Sequence, residues 1–321
     1  QNYQDKKANT PMLFPTEGAK ALGVSEFELL LSLPYSRYMG QDFQEVLESL
    51  AQFSKLESIT RNDYAVSEKT GKYENLKVHG RMGILLNVGG LDLRYFMSKW
   101  KHMLAVDDTS KPNRPIHSIQ FFDEQGNAVN KIYLKSLDEL SDWQALITQT
   151  INKFADKAES ATIELAELEQ HQDWQFKQLS DDDKQTLQDK WGMAKQLTVN
   201  AIEPMLNLVK DKQLSLMTFV GNTGLVQIQT GTLNTIKRMG YWINILDKDH
   251  NDFTLHLKDG AVAQLWCVKR PTKDGLVTCV EAFDDKGRTI VTFFGQRQEG
   301  EPENANWVEI TDSLMMEFVM V

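Results

Sequence analysis

A pattern of short strands that occurs twice along the chain is the feature that most constrains its fold. In the second half, Met217–Gly231 predicts two strands, Leu216–Val220 and Leu225–Gln229, joined by a tight turn at Gly221–Gly224. In the first half, Ser58–Glu68 has the same layout, and matching residues of the two stretches lie 160 positions apart. Both halves of the sequence therefore predict the same strand–turn–strand unit.

Two further matches keep the same order and nearly the same spacing. Leu91–Tyr95 corresponds to Phe253–Leu257 at an offset of 162 residues, and His117–Gly126 corresponds to Thr278–Gly287 at an offset of 161. Matched blocks in one order indicate a duplicated unit, and two copies are too few to form a solenoid. We therefore expect two similar β-rich halves that pack together.

Helical patterns lie before and between the strand-rich stretches. Thr16–Leu22 and Ser25–Leu33 predict two short helices, and Ser25 with Glu28 forms a capping box at the start of the second. Apolar residues at helical spacing predict an amphipathic helix over 43–53. These helices come directly before the first group of strands, so we expect them to pack on its sheet.

A helical middle segment is predicted between the two strand-rich stretches, over Ser136–Leu214, with a second capping box formed by Ser136 and Glu139. The chain is accordingly expected to divide into an N-terminal repeat of helices then sheet, a helical linker, and a C-terminal repeat, at residues 1–155, 156–214 and 215–321.

Composition narrows the classes of partner and compartment. The net charge of −10 argues against a broad nucleic-acid or anionic-membrane surface, and no apolar run approaches the length of about 18–20 residues that membrane insertion needs. The two cysteines, Cys267 and Cys279, form no disulfide framework, which favours a reducing compartment, the cytoplasm. Because they also lack a metal-ligand spacing, they are interpreted as core residues. The apolar tail Leu314–Val321 predicts either a core contact or a homodimer contact.

Two groups of residues could bind an anionic ligand. Lys269–Gly275 is a basic turn, and its cations together with Arg297 would suit a dianion, because guanidinium groups bind carboxylates in a forked geometry. In the first half, strand alternation puts Arg94 and Phe96 on one face, which suits a flat, anionic, aromatic ligand. Ordinary solvation of a hairpin and a plain surface strand remain the alternatives for the two groups.

The histidines show no metal-ligand spacing to one another. His79, His102, His117 and His250 lie on or beside predicted strands and turns, whereas His171 lies in the predicted helical middle, where it is a candidate ligand. No Walker loop, GxSxG elbow, HExxH or GxGxxG motif is present, so hydrolase, nucleotide-binding and zinc-protease functions receive no support.

Taken together, these stretches resemble the HemS/ChuS-type haemin-degrading (haem-utilisation) proteins of Gram-negative bacteria. The resemblance covers almost the whole chain, including both repeats and the order of elements. It rests on Thr60–Asn62, Leu91–Phe96, His117–Asp123, Phe219–Asn222, Val226–Ile228, Arg270–Gly275, Gly295–Arg297, Glu299–Gly300 and Pro302–Glu303.

The resemblance implies an α+β fold of two tandem structural repeats, each a large twisted antiparallel β-sheet with flanking α-helices, joined by a helical middle segment. It implies that haem (iron protoporphyrin IX) sits between the second-half sheet and helices of the middle segment, with His171, on the middle helix, as the iron ligand. Arg94 and Phe96 would reach the haem across the interface between the repeats, and Arg270 and Arg297 would line its other side. Phe294 is a further expected haem contact; relatives usually carry a Tyr two or three residues before the Arg of Gly-Gln-Arg, where this chain has Phe293 and Phe294.

Three functions follow as alternatives. The first is an iron-acquisition oxidoreductase that opens the haem ring with O₂ and an external electron donor and so releases iron. The second is a carrier or store that passes intact haem to a separate haem oxygenase, and the third is a β-rich scaffold without haem binding. The first two need the same pocket, so the sequence does not separate them.

Overall fold

The computed structural model describes residues 3–10, 13–157, 193–272, 275–298 and 300–320. Helices and strands account for most of these ranges. The helices within them are α1 (Tyr3–Asn9), α2 (Pro15–Leu22), α3 (Glu26–Leu31), α4 (Phe43–Ser49), α5 (Leu140–Lys157), α6 (Ile202–Asp211), α7 (Lys248–Asn251) and α8 (Ala305–Glu317). Short 3₁₀ turns lie at Leu50–Gln52, Met97–Lys99, Leu137–Glu139, Val199–Ala201 and Asp259–Ala261.

The strands fall into two groups along the chain, as the repeated pattern predicts. The first-half strands are β1 (Ser36–Gly40), β2 (Leu56–Arg61), β3 (Ala65–Gly71), β4 (Leu76–His79), β5 (Met82–Leu86), β6 (Asp92–Phe96), β7 (Trp100–Asp108), β8 (Ile116–Asp123) and β9 (Ala128–Leu134). The second-half strands are β10 (Ala194–Leu197), β11 (Leu216–Gly221), β12 (Leu225–Gly231), β13 (Ile236–Met239), β14 (Trp242–Asp247), β15 (Phe253–Leu257), β16 (Gln264–Thr272), β17 (Gly275–Phe283) and β18 (Thr289–Gly295).

The described strands form two nine-stranded antiparallel sheets, and each sheet takes strands from both halves. The first sheet has the order β1-β7-β8-β9-β2-β3-β15-β14-β13, and the second has the order β10-β16-β17-β18-β11-β12-β6-β5-β4. Each half thus contributes three strands to the sheet of the other. The predicted fold of tandem α+β repeats is confirmed, and the exchange of strands adds backbone hydrogen bonds that join the repeats.

Each hydrophobic core consists almost entirely of residues from one half of the chain, whereas each sheet contains strands from both halves. One core contains residues of α4 and α5 together with first-half strands from both sheets, and a single second-half residue, Leu225. The other contains residues of α6 and α8 together with second-half strands from both sheets, and a single buried first-half residue, Ala65. Each half therefore buries its own apolar surface between two sheets, while the division at residues 155 and 214 stays a prediction.

The helices at the N-terminus cover the other face of the first sheet. Residues of α3 pack there with Leu104, Val106 and Phe122, and the predicted capping box is present, because Ser25 Oγ accepts from the N–H of Glu28 and the Glu28 carboxylate accepts from the N–H of Ser25. These helices therefore cover part of this face of the first sheet.

Two predictions for the middle of the chain are wrong. Ser136 caps no helix with its side chain; the Glu139 carboxylate instead accepts hydrogen bonds from the backbone and hydroxyl of Ser54, at 2.8 and 3.0 Å, because it lies beside that turn. Residues 194–197, inside the predicted helical middle, are strand β10, which pairs with β16 and so extends the second sheet. In the described part of the chain, no helix is both long and apolar enough to span a membrane.

The apolar tail contributes to the core of the second half. Leu314 and Met315, at the end of α8, are buried in it, and Val319 forms a β-bridge with Leu197. Met316, on the other side of the helix, is 74% exposed. The core contact predicted for the tail is confirmed, and the homodimer contact stays a prediction.

Two asparagines join the halves at equivalent turns. Asn62 donates through Nδ2 to the carbonyls of Gly221 and Ile290 at 3.1 and 2.9 Å. Asn222 donates in the same way to the carbonyls of Arg61 and Val129 at 3.0 and 2.8 Å. The Oδ1 atom of each accepts two backbone N–H groups of its own turn. The repeated turn that the sequence displays is therefore a reciprocal contact between the repeats.

Candidate ligand-binding site

Four of the residues predicted to contact a ligand lie on one face of the second sheet. Residues paired directly across antiparallel strands point to the same side, and this relation links Arg94 to Val226 and Phe294 to Cys279. We call this side the aromatic face. Strand pairing and alternation along the strands place on it Met82, Ile84, Arg94, Phe96, Met217, Phe219, Val226, Ile228, Trp266, Arg270, Cys279, Glu281, Thr292 and Phe294.

A cavity of about 510 Å³ opens on the aromatic face, between the two halves. From the second half, Phe219, Val226 and Phe294 form its apolar floor, and the two phenyl rings lie 5.1 Å apart between centroids. From the first half, residues of α2 and the start of α3 form the opposite wall. Residues of both halves thus line the cavity, and neither half encloses it alone.

Arg270 lies along the wall of this cavity. Its guanidinium donates to the Glu281 carboxylate at 2.5 Å and to the sulfur of Cys279 at 2.6 Å. Burial raises the pKa of the Cys279 thiol well above its usual value, and the Glu281 carboxylate is the ion-pair partner of Arg270. The side chain of Arg270 is 29% exposed, which leaves part of the guanidinium accessible from the cavity.

Glu281 was not among the predicted site residues. It is 4% exposed and lines the cavity, with Oε1 bonded to Arg270. Among the described residues, its second oxygen, Oε2, is buried without a hydrogen-bond partner, and so is Thr289 Oγ1, at another point of the cavity wall. A buried polar atom without a partner destabilises the protein unless a water or ligand completes it.

The basic turn does not act as the single cluster that the sequence predicts. Lys269 alternates with Arg270 and points to the opposite side of β16, where its Nζ lies 2.6 Å from the Asp312 carboxylate of α8. Lys273 lies outside the described residues. The prediction that Lys269 joins Arg270 at one anion is therefore wrong, because neighbouring residues of a strand face opposite ways.

Arg94 and Phe96 lie at the other end of the aromatic face. Arg94 donates to the carboxylate of Asp92, its neighbour on the same side of β6, and burial raises the pKa of Asp92 although the nearby guanidinium lowers it. Phe96 ends β6, where its N–H donates to the carbonyl of Gly224. Neither residue lines the cavity itself, but Arg94 is directly paired with Val226 of the cavity floor.

Of the remaining predicted residues, Arg297 is described by the structure and is not among the residues that line the cavity. Arg297 follows the end of β18 and is half-buried. His171 lies outside the described residues, and so does its predicted role as an iron ligand. Within the ranges that the structure describes, no group of three or more His, Cys, Asp and Glu side chains is arranged to bind a metal ion.

Ion pairs surround the first-half side of the cavity. Lys20 and Arg288 both reach the Asp63 carboxylate, at 2.6 and 3.1 Å, and Arg61 pairs with Glu17 at 3.1 Å. Burial would raise the pKa of Asp63, but its two cationic neighbours hold that pKa below the usual value. The cations on this side are thus paired with carboxylates, as Arg270 is with Glu281.

Comparison with known proteins decides the family. The sequence matches the haemin-degrading HemS.ChuX domain twice, at residues 23–150 and 184–314. The chain belongs to this family. Two matches in tandem also account for the repeated strands, because each match spans one copy of the pattern.

Relatives of the HemS.ChuX family match nearly the full length of the chain. Hemin transport protein HmuS of Yersinia pestis is 33% identical over 331 residues, covering 96% of this chain and 95% of that protein. The structure of holo-PhuS, a heme-binding protein from Pseudomonas aeruginosa, superposes with a TM-score of 0.84 at 28% identity, covering 97% of this chain and 96% of that one. The heme degrading enzyme ChuS of Escherichia coli O157:H7 gives a TM-score of 0.82 at 28% identity, covering 98% and 97%.

The sequence signals found part of this family member's site. Strand alternation identified the shared side of Arg94 and Phe96, and the basic turn identified Arg270. Glu281 and Phe219 were not predicted as site residues, although both line the cavity and both lie in the repeated blocks. The available signal was a difference between the copies, since Phe219 stands where the first copy has Ile59 and Glu281 stands where it has Gln120.

Proposed function

We propose that this protein binds haem on the aromatic face of the second sheet, at the cavity between the halves. One observation carries the proposal: an apolar floor that contains two phenyl rings, with the guanidinium groups of Arg270 and Arg94 on either side of it. Haem is a flat apolar macrocycle with two carboxylate arms, and such a ligand needs apolar contact on its faces and cations at its edge. The names of the relatives PhuS and ChuS support the same ligand.

The residues present suit these requirements. Phe219, Phe294 and Val226 offer apolar contact, and Arg270 is held in place by Glu281 beside them. Ile84 and Met82 extend the apolar surface beyond Arg94 and are 40% and 56% exposed. We propose His171 as the iron ligand and Arg297 as a further contact on the strength of the resemblance alone.

We further propose that the protein degrades haem. When bound, haem iron supplies the activation of O₂ and thus the difficult chemistry of ring opening. The residues of this chain would bind the macrocycle, orient it through its carboxylates and exclude water from its apolar faces. An electron donor is required as a partner, and we place this activity in the cytoplasm. Nucleic acid is not a proposed partner, because the net charge is −10.

The alternative is a carrier that delivers intact haem to a separate haem oxygenase. The word transport in the name of HmuS favours it. Both activities use the same site, so only the fate of the bound haem separates them.

Titration of ferric haem into the purified protein tests the binding step. We expect a saturable complex with a distinct Soret band, and absence of saturation would contradict the proposal. His171→Ala should shift the band, whereas His250→Ala, which changes an exposed histidine in α7, should not. If neither variant changes the spectrum, the iron ligand is another residue.

Addition of ascorbate, or NADPH with a reductase, to the loaded protein in air tests the second step. Loss of the Soret band with release of iron supports degradation. A stable reduced spectrum, with transfer of intact haem to an added haem oxygenase, supports the carrier instead.

A further inference from the structure

We propose that the hairpin of β4 and β5 is the docking site for a small acidic electron-transfer protein, of the flavin or iron–sulfur class, that supplies the electrons for haem degradation. This inference rests on the proposed function, because it concerns the electron donor that ring opening requires. It starts from a local cluster of cations at the edge of the aromatic face, in a chain whose net charge is −10.

The stretch that contains this hairpin is basic, although the protein as a whole is acidic. Residues 77–101 contain five Lys and Arg side chains and one acidic side chain, Asp92. The equivalent stretch of the second half, residues 237–263, contains four Lys and Arg side chains and four Asp side chains. The excess of positive charge is therefore a property of the first copy, and the duplicated fold does not require it.

Three of these cations lie near the tip of the hairpin, and we call them the basic tip: Lys77, Arg81 and Lys99. Lys77 lies on β4, Arg81 lies in the turn before β5, and Lys99 ends the 3₁₀ turn that Met97 begins. The N–H of Met97 donates to the carbonyl of Arg81 at 2.8 Å, which holds this turn against the hairpin. All three side chains are exposed, and within the described residues none of them forms an ion pair. Their charge is therefore available to a partner.

The equivalent hairpin of the second half has its charge paired. Arg238, on β13, lies 2.8 Å from the Asp259 carboxylate and 2.7 Å from the Glu203 carboxylate. The position equivalent to Lys99 is Ala261, which carries no charge. Of the two hairpins, the one beside the aromatic face is thus the one that presents free cations.

An apolar stripe runs along the same hairpin. Met82, Ile84 and Leu86 alternate along β5 on the side of the aromatic face, and all three are exposed. Lys77 is paired directly with Ile84 and so projects on the same side. Exposed aliphatic side chains beside cations form a surface with an apolar centre and a charged rim, which is the composition of a protein–protein contact.

The hairpin adjoins the proposed haem site. Met82 is paired with Phe96 and Ile84 with Arg94, and Arg94 is paired in turn with Val226 of the cavity floor. Two strand spacings therefore separate β5 from β12, a distance of about 10 Å. A donor bound on the hairpin would bring its redox centre close to the edge of the macrocycle without entering the cavity.

The charge and the size of this surface favour one kind of partner. Complexes between redox proteins are small and transient, and electrostatic steering accelerates their formation. Three cations beside a short apolar stripe suit such a contact. A nucleic acid would bind the cations through its phosphates and leave the aliphatic side chains exposed. A membrane surface is recognised by clusters of about 4–8 basic residues, more than this hairpin offers.

The step that this docking serves is a transfer of one electron. The reduced flavin or iron–sulfur centre of the donor loses the electron, and ferric haem iron gains it and becomes ferrous. No covalent bond forms or breaks in this step. The residues of the hairpin carry no electron themselves, and their role is to hold the donor in place.

Two triple variants and a matched control test the docking site. The neutralised variant carries Lys77→Gln, Arg81→Gln and Lys99→Gln, and the reversed variant carries Glu at the same three positions. The control carries three charge reversals at other exposed positions, so its net charge equals that of the reversed variant: Lys111→Glu, Arg114→Glu and Lys237→Glu. None of these described residues is among those that line the cavity.

The first measurement is the dissociation constant of the haem-free, full-length protein for flavodoxin and for ferredoxin, two acidic donor proteins used as separate probes in calorimetric titrations. At about 0.1 M ionic strength, charges more than roughly 10 Å apart are screened. We expect the reversed variant to bind about tenfold more weakly than the wild type, the neutralised variant to lose less, and the control to stay within about threefold. The probe that binds more tightly identifies the donor class.

The second measurement is the rate at which each reduced donor protein reduces ferric haem in the loaded protein, followed by the Soret band in the absence of oxygen. We expect this rate to fall about tenfold in the reversed variant, because docking is weakened. Reduction by dithionite needs no docking, so its rate should be the same for all variants. The dissociation constant of haem should also be unchanged.

Several outcomes would overturn the inference. Equal donor affinities of the wild type and the reversed variant would place the contact elsewhere, and equal losses in the reversed variant and the control would mean that net charge alone acts. Binding to phosphatidylglycerol vesicles or duplex DNA that the reversed variant abolishes, with donor binding unchanged, would assign the hairpin to a membrane or a nucleic acid. A wild type that binds haem but neither donor protein would refute this inference alone, whereas failure to bind haem would refute the proposed function.

Discussion

The two sheets are built from equivalent strands of the two repeats in the same order, yet the side chains on their equivalent faces differ in chemistry. On the aromatic face of the second sheet, neighbouring positions hold Met217, Ile228 and Thr292. The equivalent positions of the first sheet hold Glu57, Glu68 and Lys131, and we call that side the charged face. A duplicated backbone therefore presents an apolar surface once and an ionic surface once.

The charged face satisfies its own groups within the protein. Lys248 pairs with Glu68 and Glu57 at 2.9 and 3.3 Å, and Lys131 pairs with Glu26 of α3. His256, at the position equivalent to Arg94, shares a hydrogen bond of 2.6 Å with Asn244. Because its charges are paired and helices α1–α3 cover part of it, this face offers no comparable apolar floor. The comparison teaches that the cavity with its apolar floor follows from side chains and covering helices, not from the sheet itself.

The largest expected effect concerns the hydrogen bonds by which the asparagine turns join the two halves. Asn222→Ala removes two hydrogen bonds to carbonyls of the first half and two to its own turn. We expect the free energy of unfolding to fall by about 2–4 kcal/mol, because buried carbonyls lose their donor. Asn62→Ala should cost a similar amount, as measured by urea unfolding. A large difference between the variants would show that the halves do not contribute equally to the contact.

A second prediction concerns a titrating group on the charged-face side of the first sheet. Burial lowers the pKa of His102 to about 4, where its ring stacks on Phe27 at 4.1 Å between centroids. As the pH falls, the unfolded state takes up a proton on His102 before the folded state does. The contribution of His102 to the free energy of unfolding is therefore constant above about pH 6.5 and falls from there toward pH 4. The loss should be on the order of 1–3 kcal/mol.

The equivalent residue of the second half, Gln264, provides the control for this pH effect. His102→Gln should flatten the decline in the free energy of unfolding between about pH 6.5 and 4, because glutamine does not titrate there. An unchanged pH dependence in thermal unfolding would mean that another group, such as His256, carries it. Burial also lowers the pKa of His256.

The third prediction tests whether Arg270, on the aromatic face, binds a carboxylate of haem. Arg270→Met should weaken haem binding by about 1.5–3 kcal/mol if the guanidinium bonds a propionate. Haem dimethyl ester lacks the charged carboxylates, so its affinity should be nearly the same for this variant and the wild type. Arg37→Met provides a matched control, because Arg37 pairs with Asp107 in the first half and does not line the cavity. Equal losses for both haem and the ester would contradict a role in carboxylate binding.

The smallest expected effect tests whether haem affinity depends on the aromatic face and not on the charged face. Phe219→Gln should weaken haem binding by about 1–1.5 kcal/mol, since it removes one ring of an aromatic pair. Ile59→Gln makes the equivalent change on the charged face and should leave haem affinity unaltered, as measured by Soret titration. If the two variants lose affinity equally, haem also binds the first sheet and the distinction drawn between the faces is wrong.

The sequence alone determined the duplicated architecture, because alternation and turn residues repeat at a nearly fixed spacing and each turn contains its asparagine. It also put Arg94 and Phe96 on one side of a strand, since side-chain direction in a strand has a period of two. The resemblance to the family rested on these same blocks, and the family match confirmed it.

The tertiary structure alone decided the exchange of three strands between the sheets and the pairing of Arg270 with Glu281. Local patterns predict a strand but not its neighbour, because the apolar alternation of β6 is satisfied in either sheet. The sequence of a basic turn likewise does not show which of its cations faces the cavity. Strand pairing and ion pairs in the structure show that Lys269 and Arg270 point to opposite sides of β16. The cavity between the halves exists only after distant parts of the chain pack together, and so no local signal predicts it.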